Sequence, residues 1–296
     1  MEIKPIYEFL VWDNCNNNCK FCFQRENPRL FDHNNRKMIL NEVIKFIDSD
    51  KFKKGSHILI CGGEIFDKPR DFNILYDFFE QIIERMNSNI IDLLYLNTNL
   101  IYENIAGLFN ILDMIKDNHL FERLKFTTSY DLEGRFSSVP MPTTLQLPEV
   151  VMLDNLVSIK NEYPDIHIVT NTILTKPVCQ KIINGEYNIR DWMEKYQCYV
   201  NLIPYIVLDK ELMATRNEIF KALNIVEKQA EGYVRRWIDN LDLKQEKWLY
   251  IYKNNEWQFV SCEWDKECGH SVNFKRYSDS GHCFVCDLKE LFDAHI

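Results

Sequence analysis

The sequence predicts an α/β protein built on parallel strands, and three observations predict it. Six short apolar runs alternate with segments whose apolar residues recur at helical spacing. Each run leads directly into a polar or glycine-containing motif. The stretches between runs are long enough to carry the helices that parallel neighbours need as right-handed crossovers.

The first run is Ile6 to Trp12, and it opens onto the cysteine-rich stretch Asp13 to Gln24. A polar segment, Arg25 to Lys37, separates it from a helical face made by Leu40, Val43, Ile44 and Ile47. His57 to Cys61 is the second strand and ends in Gly62-Gly63-Glu64, before a helix carrying Phe72, Leu75, Phe79, Ile82 and Ile83. Ile91 to Leu96 is the third, ended by Asn97-Thr98-Asn99. A helix with Ile101, Ile105, Leu108, Leu112 and Ile115 follows it. Leu124 to Thr128 is the fourth and runs into Ser129-Tyr130-Asp131. The stretch from Arg135 to Gln146, with Pro140 and Pro142, reads as a loop over one end of the sheet. Pro148 suits the first position of a helix running to about Tyr163. The fifth strand is read as Asp165 to Asn171 with Asn171-Thr172 at its end, and the sixth as Tyr199 to Ile203 with Pro204-Tyr205 at its end. In α/β folds ligands gather outside the carboxyl ends of the strands. Any one of these motifs is ordinary loop chemistry by itself; six on one rim make a site.

Composition narrows the function classes. With 296 residues, 46% of them hydrophobic and 13% aromatic, the chain can bury a large core and is not a disordered segment. A net charge of −9 gives no general attraction to nucleic acid or to an anionic membrane. No run approaches the roughly 20 apolar residues that span a bilayer, and Met1-Glu-Ile-Lys-Pro5 has no apolar signal-peptide core. The expectation is a cytoplasmic protein in which the close spacing of many of the ten cysteines favours metal binding over disulfides.

The stretch Cys15-Asn-Asn-Asn-Cys19-Lys-Phe21-Cys22 places three thiols on one loop after the first strand. Three thiolates can hold three irons of a cubane cluster and leave the fourth iron open to a ligand. A zinc knuckle or unrelated buried thiols are the bland alternatives. Asn16, Asn17 and Asn18 suit a loop because asparagine tolerates left-handed backbone angles.

With Gly62-Gly63-Glu64 on the next strand end, the motif resembles that of the radical S-adenosylmethionine (radical SAM) superfamily, over about residues 5 to 206. The resemblance implies a partial (β/α)6 barrel of parallel strands around a 4Fe–4S cluster and S-adenosylmethionine. Cys15, Cys19 and Cys22 would be the cluster ligands, and Gly62, Gly63 and Glu64 would hold the methionine amine. Asn99, Ser129 and Asp131 would contact the ribose or carboxylate, and main chain near Phe21 and Tyr205 would bracket the adenine. Tyr130 and Arg135 are the catalytic candidates; Arg135 can neutralise a carboxylate or be a plain surface arginine. The implied reaction is reductive cleavage to methionine and a 5′-deoxyadenosyl radical that abstracts hydrogen from the substrate, with a reductant such as flavodoxin or ferredoxin. The leading substrate is a peptide or protein side chain, with a small molecule such as a nucleotide or nucleobase as the rival. A non-catalytic metal-binding protein on the same fold is the second function class; retention of both motifs argues against it.

The pattern changes past the sixth strand, dividing the chain into a barrel part, 1–210, and an extension, 211–296. Thr215 to about Asp239 reads as one long helix, and Trp248 to Tyr252 with Trp257 to Ser261 as a hairpin about Asn254-Asn255. Cys262, Cys268, Cys283 and Cys286 follow within 25 residues, a spacing that suits zinc or an iron–sulfur cluster. The fragments Cys268-Gly269 and Asp279-Ser-Gly281-His-Cys283 resemble SPASM and twitch extensions, which implies one further 4Fe–4S cluster; His270 and His282 keep zinc open. Cys61, Cys179 and Cys198 read as small buried hydrophobes.

Overall fold

The computed structural model describes residues 4–12, 15–17, 19–20, 22, 35–136, 140–141, 144–204, 211–234, 247–253 and 256–260. Eight strands form one sheet: β1 (Ile6–Leu10), β2 (Ser56–Cys61), β3 (Ile91–Asn97), β4 (Leu124–Ser129), β5 (Ile168–Leu174), β6 (Tyr199–Pro204), β7 (Lys247–Lys253) and β8 (Glu256–Val260). Their spatial order is β6-β5-β4-β3-β2-β1-β7-β8. Every pairing from β6 through β1 to β7 is parallel, and β8 returns antiparallel on β7. The six strands with their helices are the α/β partial barrel that the sequence predicts.

The crossovers carry α1 (Arg36–Ile47), α2 (Phe72–Asn87), α3 (Ala106–Asp117), α4 (Pro148–Glu162), α5 (Lys176–Ile183) and α6 (Ile189–Tyr196), and α7 (Arg216–Gln229) follows β6. Local chemistry starts several of them. The Asn35 side chain accepts from the Met38 amide to open α1, Thr175 does the same from Val178 for α5, and Thr215 with Glu218 forms a capping box on α7. Residues of β5 alternate between buried and half-buried along the whole strand. One face packs the helices, and the other lines the hollow of an open barrel, so the runs are not apolar on both faces as in a fully covered parallel sheet.

Several boundaries differ from the sequence reading. The helix expected from Ile101 starts only at Ala106. Leu100 is left-handed (φ 58°), and Asn155 Nδ2 donates to the Leu100 and Tyr102 carbonyls, so this stretch is pinned as irregular chain. The fifth strand runs Ile168–Leu174 rather than Asp165 to Asn171, because the Ile166 amide closes a turn on Tyr163 O and Ile168 is the first residue opposite β4. The shift carries Ile173 to the rim. Helix α7 ends at Gln229, not near Asp239: the Glu227 carboxylate accepts from the Gly232 and Val234 amides, and Gly232 takes φ 71°. Helices α5 and α6 were not foreseen, being short pieces of eight residues each.

The hairpin of the extension does not stand apart from the barrel. Ile6 to Leu10 lie opposite Lys247 to Ile251, so β7 continues the sheet beyond β1. Trp257 of β8 packs edge-on to Phe9 at 5.1 Å and to Tyr252 at 5.2 Å. Sequence cannot show this pairing, since a hairpin pattern carries no address for the strand it will dock beside.

Candidate functional site

At the carboxyl ends of the strands, a cavity of about 240 Å³ is lined by Cys15, Asn17, Cys19, Cys22, Cys61, Gly62, Gly63, Asn97, Thr98, Asn99, Ser129, Arg135 and Ile173. Five neighbouring strands, β1 to β5, thus bring their end motifs to one place. All three thiols of the cysteine loop are there.

The glycines earn their place by a close approach. A Cβ on Gly62 would lie 2.4 Å from the Trp12 carbonyl oxygen, a backbone atom that cannot swing away. The Gly63 amide donates to that same oxygen at 2.7 Å, and Trp12 Nε1 donates to Glu64 O at 3.2 Å. The Arg36 guanidinium stacks 4.4 Å over the Trp12 ring and pairs with Asp71 at 2.5 Å and Asp67 at 3.3 Å. Trp12 therefore fixes the Gly-Gly segment against the cysteine loop. Sequence reasoning passed over it as the last residue of a strand, and nothing in the pattern marks it otherwise.

Glu64 is folded inward. Its side chain is 0% exposed and turned away from the cavity. Oε1 accepts from the Phe66 amide at 3.0 Å and Thr98 Oγ1 at 2.9 Å, and Oε2 accepts from the Asn99 amide at 2.6 Å. The two amides would otherwise have no partner, whereas Thr98 Oγ1 also reaches Tyr102 Oη at 3.2 Å, and the carboxylate folds back onto the β3 end to meet them. Burial pushes its pKa up to about 7, against the pull of the three donors. Asn99 is likewise drawn inward: Oδ1 accepts from the Ile101 amide at 2.7 Å, and Nδ2 donates to Asn16 Oδ1 at 2.8 Å. Asn16 in turn donates to Ile101 O. Asn16 and Asn17 act through these side chains; neither has the left-handed backbone expected of it.

Four N–H groups point at the sulfurs. The Asn17 amide reaches Cys15 Sγ at 3.4 Å and Asn99 Nδ2 reaches it at 3.5 Å. Asn17 Nδ2 reaches Cys19 Sγ at 3.3 Å and Arg135 Nη1 reaches it at 3.7 Å. Donors around sulfur suit thiolate ligands, since such bonds stabilise the charged form. Burial pushes the Cys15 thiol up to about 12 as it stands; binding a metal would have to expel that proton. Among the described residues no three His, Cys, Asp or Glu side chains converge on one metal position. A cubane does not require it, because each cysteine takes a different iron. The donor set fits a cluster held by Cys15, Cys19 and Cys22.

The remaining candidates fall in three groups. Ser129 lines the cavity. Asp131 is buried behind it, with Oδ1 accepting from the Ile173 amide and Oδ2 from Arg135 Nε, and burial raises its pKa. Arg135 is 10% exposed and paired, not a surface arginine. Tyr130 is not brought to the cavity: its ring stacks on Trp192 of α6 at 3.9 Å and its hydroxyl donates to Glu149 Oε1 at 2.7 Å. The alternation of the chain after β4 sends Ser129 and Tyr130 to opposite sides. Cys61, Cys179 and Cys198 are buried as expected, and Cys61 also lines the cavity. Phe21, Tyr205, Cys262, Cys268, Cys283 and Cys286 lie outside the described residues.

No protein-family model matches the chain, and no curated protein matches its sequence. Solved structures do match its shape. Native anSMEcpe with bound AdoMet has a TM-score of 0.60 at 11% identity, covering 98% of this chain and 96% of the other. Native anSMEcpe with bound AdoMet and Cp18Cys peptide gives 0.61 at 12% identity over the same shares. These are anaerobic sulfatase-maturating enzymes, which are radical SAM enzymes. The chain shares their fold, an α/β partial barrel. In this fold the cysteine loop follows β1 and the Gly-Gly-Glu segment follows β2. No helix among the described residues is long and apolar enough to cross a membrane.

Proposed function

We propose that the protein is a radical SAM enzyme acting on a peptide or protein side chain. The observation that carries this reading is the shared cavity: three motif cysteines, the Gly62-Gly63 backbone and Ser129 meet at the carboxyl ends of the strands. Cys15, Cys19 and Cys22 would hold a 4Fe–4S cluster, and the cavity beside them would take S-adenosylmethionine. With both bound and one electron from a donor such as flavodoxin or ferredoxin, the site would supply reductive cleavage of the sulfonium and with it radical chemistry on the substrate. The chain's own residues orient and exclude water. Gly62 and Gly63 present backbone groups to the cavity, and a side chain on Gly62 would push the Trp12 backbone away from the segment. Glu64 holds the Asn99 amide, and Asn99 holds the Cys15 sulfur, so the β2, β3 and cysteine segments form one rigid rim. A peptide substrate is supported by the similar structure that carries a peptide. Anaerobically reconstituted protein given dithionite and S-adenosylmethionine is expected to release 5′-deoxyadenosine; absence of release, with the cluster loaded, sinks the reading.

For the extension we propose one 4Fe–4S cluster on Cys262, Cys268, Cys283 and Cys286, motivated by the Cys-Gly and Asp-x-Gly-x-Cys fragments. Metal analysis of the triple Cys15/Cys19/Cys22→Ala protein isolates that site. About four irons and four sulfides per chain are expected. One zinc, with iron absent after anaerobic reconstitution, makes the quartet a structural clip.

A further inference from the structure

The loop after β4 grips the cysteine loop from the far side of the cavity. The Lys20 amide donates to Gly134 O at 2.9 Å, and Gly134 takes φ 82°, a conformation that suits glycine. One residue on, Arg135 lies between a carboxyl group and a sulfur: Asp131 accepts from its Nε, and its Nη1 stands 3.7 Å from Cys19 Sγ. The side chains of both members of the pair are withdrawn from water, at 10% and 0% exposure. Asp131 is itself immobilised by the Ile173 amide of β5. The fold thus presents an oriented ion pair with its positive end against one specific cysteine sulfur. Holding the loop together would not require a buried charge, since the Lys20–Gly134 bond already does that.

We propose that Arg135, aimed by Asp131, is a positioning residue that raises the reduction potential of the cluster held by Cys15, Cys19 and Cys22. This rests on the functional reading above. A four-iron cluster with three thiolates carries one negative charge when oxidised and two when it has accepted an electron from a one-electron donor. A fixed cation beside one sulfur stabilises the second state more than the first. The effect is large because the pair is buried, where charges are weakly screened by solvent and salt. Charge near the cluster, hydrogen bonds to its sulfurs and exposure are the levers that set such potentials. Asp131 works against the cation, so the two residues have opposite signs of effect. A purely structural role for the pair would move the potential in the same direction, or not at all, whichever member is removed.

The test is a redox titration of the reconstituted protein, followed by spin resonance of the reduced cluster, with iron and sulfide measured alongside. In Arg135→Gln the reduced-to-oxidised ratio at a fixed poise is expected to fall at least tenfold, a shift of about 59 mV to more negative values for a one-electron couple. Asp131→Asn is expected to shift it the other way, and Arg135→Lys to stay close to the parent. Parent potential in both Arg135→Gln and Asp131→Asn, at full iron content, overturns the proposal while leaving the functional reading intact. If Arg135→Gln fails to load iron, the other two variants decide: a raised potential in Asp131→Asn with Arg135→Lys at the parent value supports it, and no shift in Asp131→Asn overturns it. A parent protein that assembles no four-iron cluster overturns the functional reading, and this inference with it.

Discussion

Cys19→Ala is expected to lower 5′-deoxyadenosine release by at least about 100-fold, taking the upper end of what loss of an outer partner costs a metal site as the floor for losing a ligand. Cys19 is the most enclosed of the three motif cysteines, 9% exposed and packed with Ile173 and Leu212. It also receives the Asn17 and Arg135 donors. Iron content in the variant should fall with activity, while circular dichroism stays at the parent's. Cys179→Ala is the control: that thiol is fully buried in α5, away from the cavity, and its removal should leave iron content unchanged. Release by Cys19→Ala at the parent's rate would show that the cluster is held elsewhere.

Removing Glu64 is expected to destabilise the cluster-free protein by about 3 kcal/mol or more, and by an amount that depends on pH. Glu64→Ala strands the Phe66 and Asn99 amides, while the Thr98 hydroxyl keeps Tyr102 Oη at 3.2 Å, and each unsatisfied buried group costs about 1–3 kcal/mol. The pH dependence follows from linkage. Burial raises the carboxyl from 4.5 to about 7, so between those values the folded state holds more protons than the unfolded one. The parent therefore loses stability as pH rises through this window, by up to about 3 kcal/mol, and the alanine variant does not. The deficit of Glu64→Ala should be larger at pH 5 than at pH 8 in denaturant titrations. A deficit that grows with pH would mean that the three donors outweigh burial and hold Glu64 ionised.

Glu64 also shows where sequence reasoning stopped. The Gly-Gly-Glu segment was legible as a strand-end motif, but a carboxylate after two glycines reads equally well as a ligand contact or as an internal brace. Which one it is depends on the β3 end, more than thirty residues away, where Thr98 and Asn99 present their donors. Arg135 is a parallel case: a lone arginine in a loop carries no sign of whether it meets solvent or a buried aspartate.

The sequence by itself determined the α/β class, the six strands near their observed positions, and the rim on which Cys15, Cys19, Cys22, Gly62, Gly63, Asn99 and Ser129 meet. Those features are written in local order: apolar runs of strand length, helical periodicity, and a polar motif directly after each run. The tertiary structure alone decided that β7 continues the sheet beyond β1, that β5 begins three residues later than its apolar pattern implies, and that Trp12 is the pivot of the glycine segment. It alone turned Tyr130 into the helix layer and set Arg135 against Cys19. Strand docking, register and the facing of a single side chain depend on partners distant in the chain, and no local pattern encodes which partner arrives.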